Sequence, residues 1–101
     1  MTETQFASAV EDLLELYGWL WCHFRPAKTD KGWRTALSGH KGLPDYVAAK
    51  SGRLLMFELK SAAGKVSQAQ QEWLDALKKT KAEVYLWRPD MWPEIQEVLT
   101  R

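Results

Sequence analysis

A chain of 101 residues, 46% hydrophobic and 27% charged, has the size and composition of one ordinary globular domain with a single core. No apolar run approaches the roughly 18 residues of a membrane-spanning helix, and one cysteine, Cys22, excludes an internal disulfide and a cysteine zinc cluster. The net charge of +1 does not mark a nucleic-acid binder, although the charge is unevenly placed. The opening MTETQFASAVEDL has neither the basic nor the apolar section of a secretory signal, so a reducing cytoplasm is the expected setting.

In chain order, the first predicted element is a helix from about Thr4 to Tyr17. Its apolar stripe is Phe6, Val10, Leu13, Leu14 and Tyr17, and Gly18 ends it. The segment 19-WLWCHFR-25 reads as a strand. Residues 26–42 read as a long loop, and a loop of that length in a small domain is usually functional. The loop region carries Arg25, Lys28, Lys31, Arg34 and Lys41 against one acid, Asp30, with His40 alongside. Such a run is either a solvated connection or a basic surface. Two strands follow, about Asp45–Ala49 and Arg53–Leu59, joined by the turn 50-KSG-52. Ser67 caps a helix running to about Lys79, 83-EVYLWR-88 is a strand stopped by Pro89, and a last helix begins near Asp90–Pro93. The order α-β-β-β-α-β-α predicts a mixed sheet flanked by helices, with its strand–helix–strand unit parallel.

Three polar groups stand where the strands seek a core. Side chains alternate along a strand, so Glu58 and Lys60 share a face. Asp45 begins the preceding strand, and antiparallel pairing brings it beside Glu58 with Lys60 one step away. Two carboxylates this close repel unless a divalent cation lies between them, and an oxygen-only site suits Mg²⁺ or Mn²⁺. The other reading is a Glu58–Lys60 salt bridge at a strand end, and an acid-x-Lys triplet is common by chance.

The helices add two further groups. Glu3 lies within about 40° of the first helix's apolar direction, whereas Glu11, Asp12 and Glu15 lie more than about 100° from it. On the second helix Val66, Trp73, Leu74 and Leu77 mark the buried side, and Gln70 falls within about 20° of its centre. A buried glutamine without partners costs roughly 1–3 kcal/mol, so Gln70 is expected to bond to something. Glu3 is alternatively a first-turn acid favoured by the helix dipole.

Pro44-Asp45 followed by Glu58-Leu59-Lys60 resembles the PD-(D/E)XK nuclease signature. With Glu3 in a first helix, Gly42-Leu43 ahead of Pro44 and Gln70 within SQAQQEWL, the chain resembles the virus-type replication-repair nuclease (VRR-Nuc) domain over almost its whole length. Leu43 stands where that family often has phenylalanine. The resemblance implies a restriction-endonuclease-like α/β core of the stand-alone form found in phages and bacteria. It implies a Mg²⁺-dependent endodeoxyribonuclease whose metal is held by Asp45, Glu58 and the Leu59 carbonyl, with Glu3 supporting the metal shell. Lys60 would serve the attacking water, Gln70 would orient water or phosphate, and His23 would lie near the DNA. It further implies a homodimer acting on branched DNA such as four-way junctions.

Beside such a site Arg25, Lys28, Lys31, Arg34 and Lys41 would contact phosphates without reading sequence. Trp33 either stacks on an unpaired base or packs back on the domain. Trp19, Trp21, Trp73 and Trp87 are expected in the core. Trp92, Ile95, Val98 and Leu99 of the last helix either cover the sheet or offer a two-fold interface. Rival classes are a nucleic-acid-binding module without chemistry, a flap or nicking nuclease acting with a partner, and a protein-interaction domain.

Overall fold

The computed structural model describes residues 1–24 and 37–101, together with the backbone of two short strands between them. The elements are α1 (Glu3–Leu16), β1 (Leu20–His23), β2 (Ala27–Thr29), β3 (Gly32–Arg34), β4 (Tyr46–Lys50), β5 (Arg53–Leu59), α2 (Gln68–Lys78), β6 (Glu83–Trp87), a 3-10 turn (Pro89–Met91) and α3 (Trp92–Thr100). The expected α/β class and mixed sheet are present, and the order α-β-β-β-α-β-α holds for the main sheet and its helices. The stretch read as loop holds in addition a two-stranded antiparallel ribbon, β2 with β3. Arg25 and Lys31, and the side chains of Lys28, Trp33 and Arg34, lie outside the described residues. Among the described residues no helix is long and apolar enough to cross a membrane.

The main sheet runs β1-β4-β5-β6, with β1–β4 and β4–β5 antiparallel and β5–β6 parallel. Ser51 (φ 50°) and Gly52 (φ 79°) both take the left-handed backbone that a two-residue hairpin loop requires, which sets the β4–β5 register. Alternation then sorts the side chains. Tyr46 and Ala48 of β4, Leu55, Phe57 and Leu59 of β5, and Trp87 of β6 form one core with Phe6, Val10 and Leu14 of α1 and with Ile95, Val98 and Leu99 of α3. At about 1.5–3 kcal/mol for each large apolar side chain buried, this face supplies most of the driving force for folding. Asp45, Glu58 and Lys60 occupy the alternate positions and belong to the other face, where α2 packs against β6.

Both main helices start in reciprocal caps. Thr2 Oγ1 accepts from the Gln5 amide and Gln5 Oε1 from the Thr2 amide, at 3.0 and 2.8 Å. Ser67 and Gln70 repeat the arrangement at the start of α2, at 3.1 and 2.9 Å. Several expected core positions differ. Tyr17 is exposed, since α1 closes on it as a cap, and Trp21 and Trp73 are half-buried, whereas Trp19 and Trp87 are buried as expected. Ile95, Val98 and Leu99 are 0–2% exposed, so α3 covers the sheet and its apolar side is spent on the chain's own core. Trp92, the fourth apolar residue of that helix, is half-buried against the same core. Neighbouring apolar side chains that do remain exposed are Leu20 and Leu54, which flank Ala49 across three strands of the opposite sheet face.

Candidate active site

The β4–β5 register pairs Tyr46 with Phe57, so its continuation by one residue sets Asp45 directly opposite Glu58. The Phe24 amide donates to the Asp45 carbonyl at 2.6 Å, which fixes this end of β4 against the chain leaving β1. On the other side the Lys60 amide donates to the Trp87 carbonyl at 3.0 Å, so the chain beyond β5 stays tied to β6. Arg88 completes the frame. One of its guanidinium nitrogens donates to the Ser61 and Gly64 carbonyls, both at 2.7 Å, and shapes the loop from Lys60 to the α2 cap.

Glu58 is the single buried charged residue among the described residues, at 2% exposure. Burying an ionised carboxylate costs several kcal/mol unless its charge is compensated or a proton neutralises it. Here the Glu58 carboxyl is pushed up to about 8. Burial is the main cause, followed by the hydrogen bond with Asp45 and that residue's like charge; Lys60 pulls the other way and Glu3 adds a small push. The sequence-derived placement of Asp45, Glu58 and Lys60 on one sheet face is therefore found, with the two carboxyls sharing a hydrogen bond.

Gln70 reaches the same group from α2, its Nε2 donating to Glu58 Oε1 at 3.4 Å. Its Oε1 meanwhile accepts from the Ser67 amide, so one side chain both closes the helix cap and touches the carboxylate. Gly42 explains how the 42-GLPD-45 loop comes so close. Its φ is +103°, and a Cβ built there would lie 2.5 Å from the carbonyl carbon and oxygen of Ala69 and 2.8 Å from the Gln70 nitrogen. Nothing larger than a hydrogen fits between loop and helix. Trp73 Nε1 donates to the His40 carbonyl at 3.2 Å and seats the preceding part of the loop on the same helix.

A cleft of about 580 Å³ opens beside the carboxylates, lined among others by Glu3, Glu11, His23, Asp45, Tyr46 and Leu59. Glu3 sits at its rim on the first residue of α1 and is exposed, a looser position than the inward one expected. Lys41 is exposed and lines a second groove with Gly42, Ser67, Gln68 and Gln70. His23 lines the main cleft.

Glu11 corrects the helical projection. Read as facing away, it lies beside His23 Nδ1 at 3.2 Å and accepts a hydrogen bond from the Tyr46 hydroxyl. The cleft follows the flank of α1 rather than its buried stripe, so an acid about 100° off the stripe still enters it. Glu3, Ala7 and Glu11, spaced by four, form one column along that flank, and this spacing was the available signal. Tyr46 was missed for a different reason. Its ring is core, 1% exposed, and only its hydroxyl reaches the cleft.

Among the described residues no group of three or more His, Cys, Asp or Glu is disposed to hold a metal ion. The donor set implied by the resemblance is Asp45, Glu58 and the Leu59 carbonyl, of which the two carboxyls are found together. Mg²⁺ is commonly bound by one or two carboxylates, keeping waters and taking phosphate oxygens for the rest, and this oxygen-only pair fits that habit. The proton that Glu58 retains and a divalent cation would compensate the same crowded negative charge. No protein-family model matches the chain, and none of the curated proteins or solved structures compared with it matches either.

Proposed function

We propose that this chain is a Mg²⁺-dependent DNA endonuclease of the PD-(D/E)XK type, similar to stand-alone VRR-Nuc domains and selective for branched DNA such as four-way junctions. The observation that carries the reading is the opposition of Asp45 to Glu58 across β4 and β5, with Lys60 on the same face and Gln70 bonded to Glu58 from the start of α2. Structural ion pairs join opposite charges; here two acids meet, one lining an open cleft and the other buried behind it with its carboxyl pushed up. That disposition suits a cation-binding centre better than a stabilising contact.

When bound, Mg²⁺ supplies Lewis acidity toward a phosphoryl oxygen and acidifies a coordinated water, and Mn²⁺ would do the same. Asp45, Glu58 and the Leu59 carbonyl hold it, and Glu3 supports the shell from the rim. Lys60 orients the attacking water and offers a cation to the phosphate. Gln70, its carbonyl fixed by the α2 cap, keeps Glu58 in place and presents an amide toward the site. Lys41 and the basic residues between Arg25 and Arg34 hold the DNA by its phosphates, a sequence-independent contribution that weakens with salt. A homodimer, with two sites on opposite strands, belongs to the same proposal and is checked by light scattering with and without junction DNA.

The test is incubation of purified protein with labelled linear, flap and four-way DNA, with and without Mg²⁺, beside Lys60→Ala. Cleavage that needs Mg²⁺ and is lost in Lys60→Ala is the expected result. Binding without cleavage in any metal would leave a binding module in its place.

A further inference from the structure

Glu11, His23 and Tyr46 form a second polar cluster in the cleft, on the α1 and β1 side, away from Lys60 and Gln70. Glu11 Oε2 receives the Tyr46 hydroxyl and lies 3.2 Å from His23 Nδ1. The His23 and Tyr46 rings stack with centroids 4.0 Å apart and planes 16° apart, and Tyr46 stacks in turn on Phe57 at 4.8 Å. Side-chain exposure is only 19% for His23 and 18% for Glu11. The imidazole is thus held on its face by a core ring and on its edge by a carboxylate that the same core residue anchors. A solvated surface pair has neither restraint, and long side chains held loosely contribute little.

The orientation has a chemical consequence. A histidine whose Nδ1 faces a carboxylate donates there, which leaves Nε2 as the ring atom directed away from Glu11; in the imidazolium form, which a neighbouring carboxylate and phosphate both favour, Nε2 carries the proton that a phosphate oxygen accepts. His23 and Glu11 line the cleft that Asp45 and Glu3 also line, so a phosphodiester bound at the carboxylates runs past this ring. We propose that Glu11 is a positioning residue: with the Tyr46 hydroxyl it fixes the His23 imidazole so that the ring contacts a phosphate of the bound DNA beside the one to be cut. The inference rests on the nuclease reading and extends it, since neither Glu11 nor Tyr46 has a part in the metal-centred chemistry.

A residue that acts only through another leaves a non-additive signature. Single-turnover cleavage of labelled four-way DNA in Mg²⁺, with protein in excess and varied, separates binding from chemistry. Glu11→Ala and His23→Ala should each raise the protein concentration for half-maximal rate by about tenfold to a hundredfold, the size of one hydrogen bond to a charged group. The maximal rate should stay within about threefold, because the contact is made before the transition state. The double variant should be no worse than His23→Ala alone. Glu11→Gln keeps an acceptor oxygen and should recover most of the loss, while Tyr46→Phe, which keeps the ring stack, should show a smaller loss of the same kind. Thermal denaturation of each variant checks that the domain remains folded.

Additive losses in the double variant, or half-maximal concentrations unchanged in His23→Ala, overturn the inference while leaving the nuclease reading in place. If the unaltered chain cuts no DNA in Mg²⁺, the nuclease reading fails and the inference falls with it.

Discussion

At the Arg53 end of β5 the sheet holds a carboxylate against a guanidinium; at the Glu58 end it holds one carboxylate against another. Arg53 Nε and Nη2 grip Glu83 of the neighbouring strand at 2.7 and 2.9 Å, and the Tyr85 hydroxyl donates to the same acid at 2.7 Å. The Arg53 hydrogen bond, ahead of all other causes, draws the Glu83 carboxyl down to about 2. Arg53 also lies over the Trp19 ring, 5.0 Å from its centroid, and bonds to the Val98 carbonyl at 3.1 Å, tying β5, β6 and α3 to the residue that precedes β1. Five residues further along the strand the Glu58 carboxyl is driven the opposite way, to about 8. One end sets opposite charges against each other and holds the fold; the other sets two acids side by side, one of them driven toward its protonated form. Opposite-charge and like-charge pairing are divided along a single strand.

The sharpest way to break the contrast is to remove one acid from the strained end. Asp45→Asn or Glu58→Gln should lower cleavage by at least about a thousandfold, as expected when a ligand of a metal-centred site is neutralised. DNA binding should be largely retained, because the phosphate contacts proposed above are assigned to other residues. Gel assays of cleavage and fluorescence measurements of binding on the same preparations check this, and near-normal cutting by either variant removes the metal-site reading.

A second effect, on the order of a few kcal/mol, concerns stability against pH without divalent cations. Below about pH 4.5 the folded and unfolded chains both hold the Glu58 proton. Between there and about 8 only the folded chain holds it, so this group's contribution to stability is lost as pH rises through that window. Urea denaturation from pH 5 to 9 in a chelator should show the decline, and Glu58→Gln should flatten it. Mg²⁺ should restore stability at pH 8 in the unaltered chain but not in Glu58→Gln. The Glu83 window lies lower, between about 4.5 and 2, with stability present above it and lost on acidification, so the two ends titrate separately.

The smallest effect tests the satisfied end. Arg53→Met should cost about 2 kcal/mol in urea denaturation, since it leaves Glu83 without its forked partner while preserving the stem that covers Trp19. Cleavage at a temperature where the variant is folded should be unchanged. A large loss of cleavage there would mean that the two ends are coupled after all.

The site was legible where its chemistry follows from alternation. Asp45, Glu58 and Lys60 share a sheet face because a two-residue turn at Ser51-Gly52 fixes the register, and both turn and period can be read from the residues. Gln70 was legible as an inward polar residue, though its second task in the α2 cap needs the geometry of Ser67. Glu11 was not, because a helical projection measures the angle from the buried stripe and cannot locate a cleft on the flank. Nor was the role of Trp19, whose Nε1 donates to the Leu99 carbonyl at 2.9 Å, a pairing of residues far apart in the chain that no local pattern announces. The ribbon of β2 and β3 escaped because three-residue strands carry almost no periodic signal.

Gly42 makes the inheritance of this site fragile in a particular way. With the Ala69 carbonyl 2.5 Å from where a methyl group would stand, any replacement obliges the loop and the first turn of α2 to separate. Gln70 belongs to that turn, and Asp45 ends that loop, so both lose their setting against Glu58 although neither has changed. A lineage released from selection can thus lose the arrangement through one substitution that spares Asp45, Glu58 and Gln70. Recovery is harder than loss, because changes elsewhere that settle around the widened gap leave the original glycine without its fit.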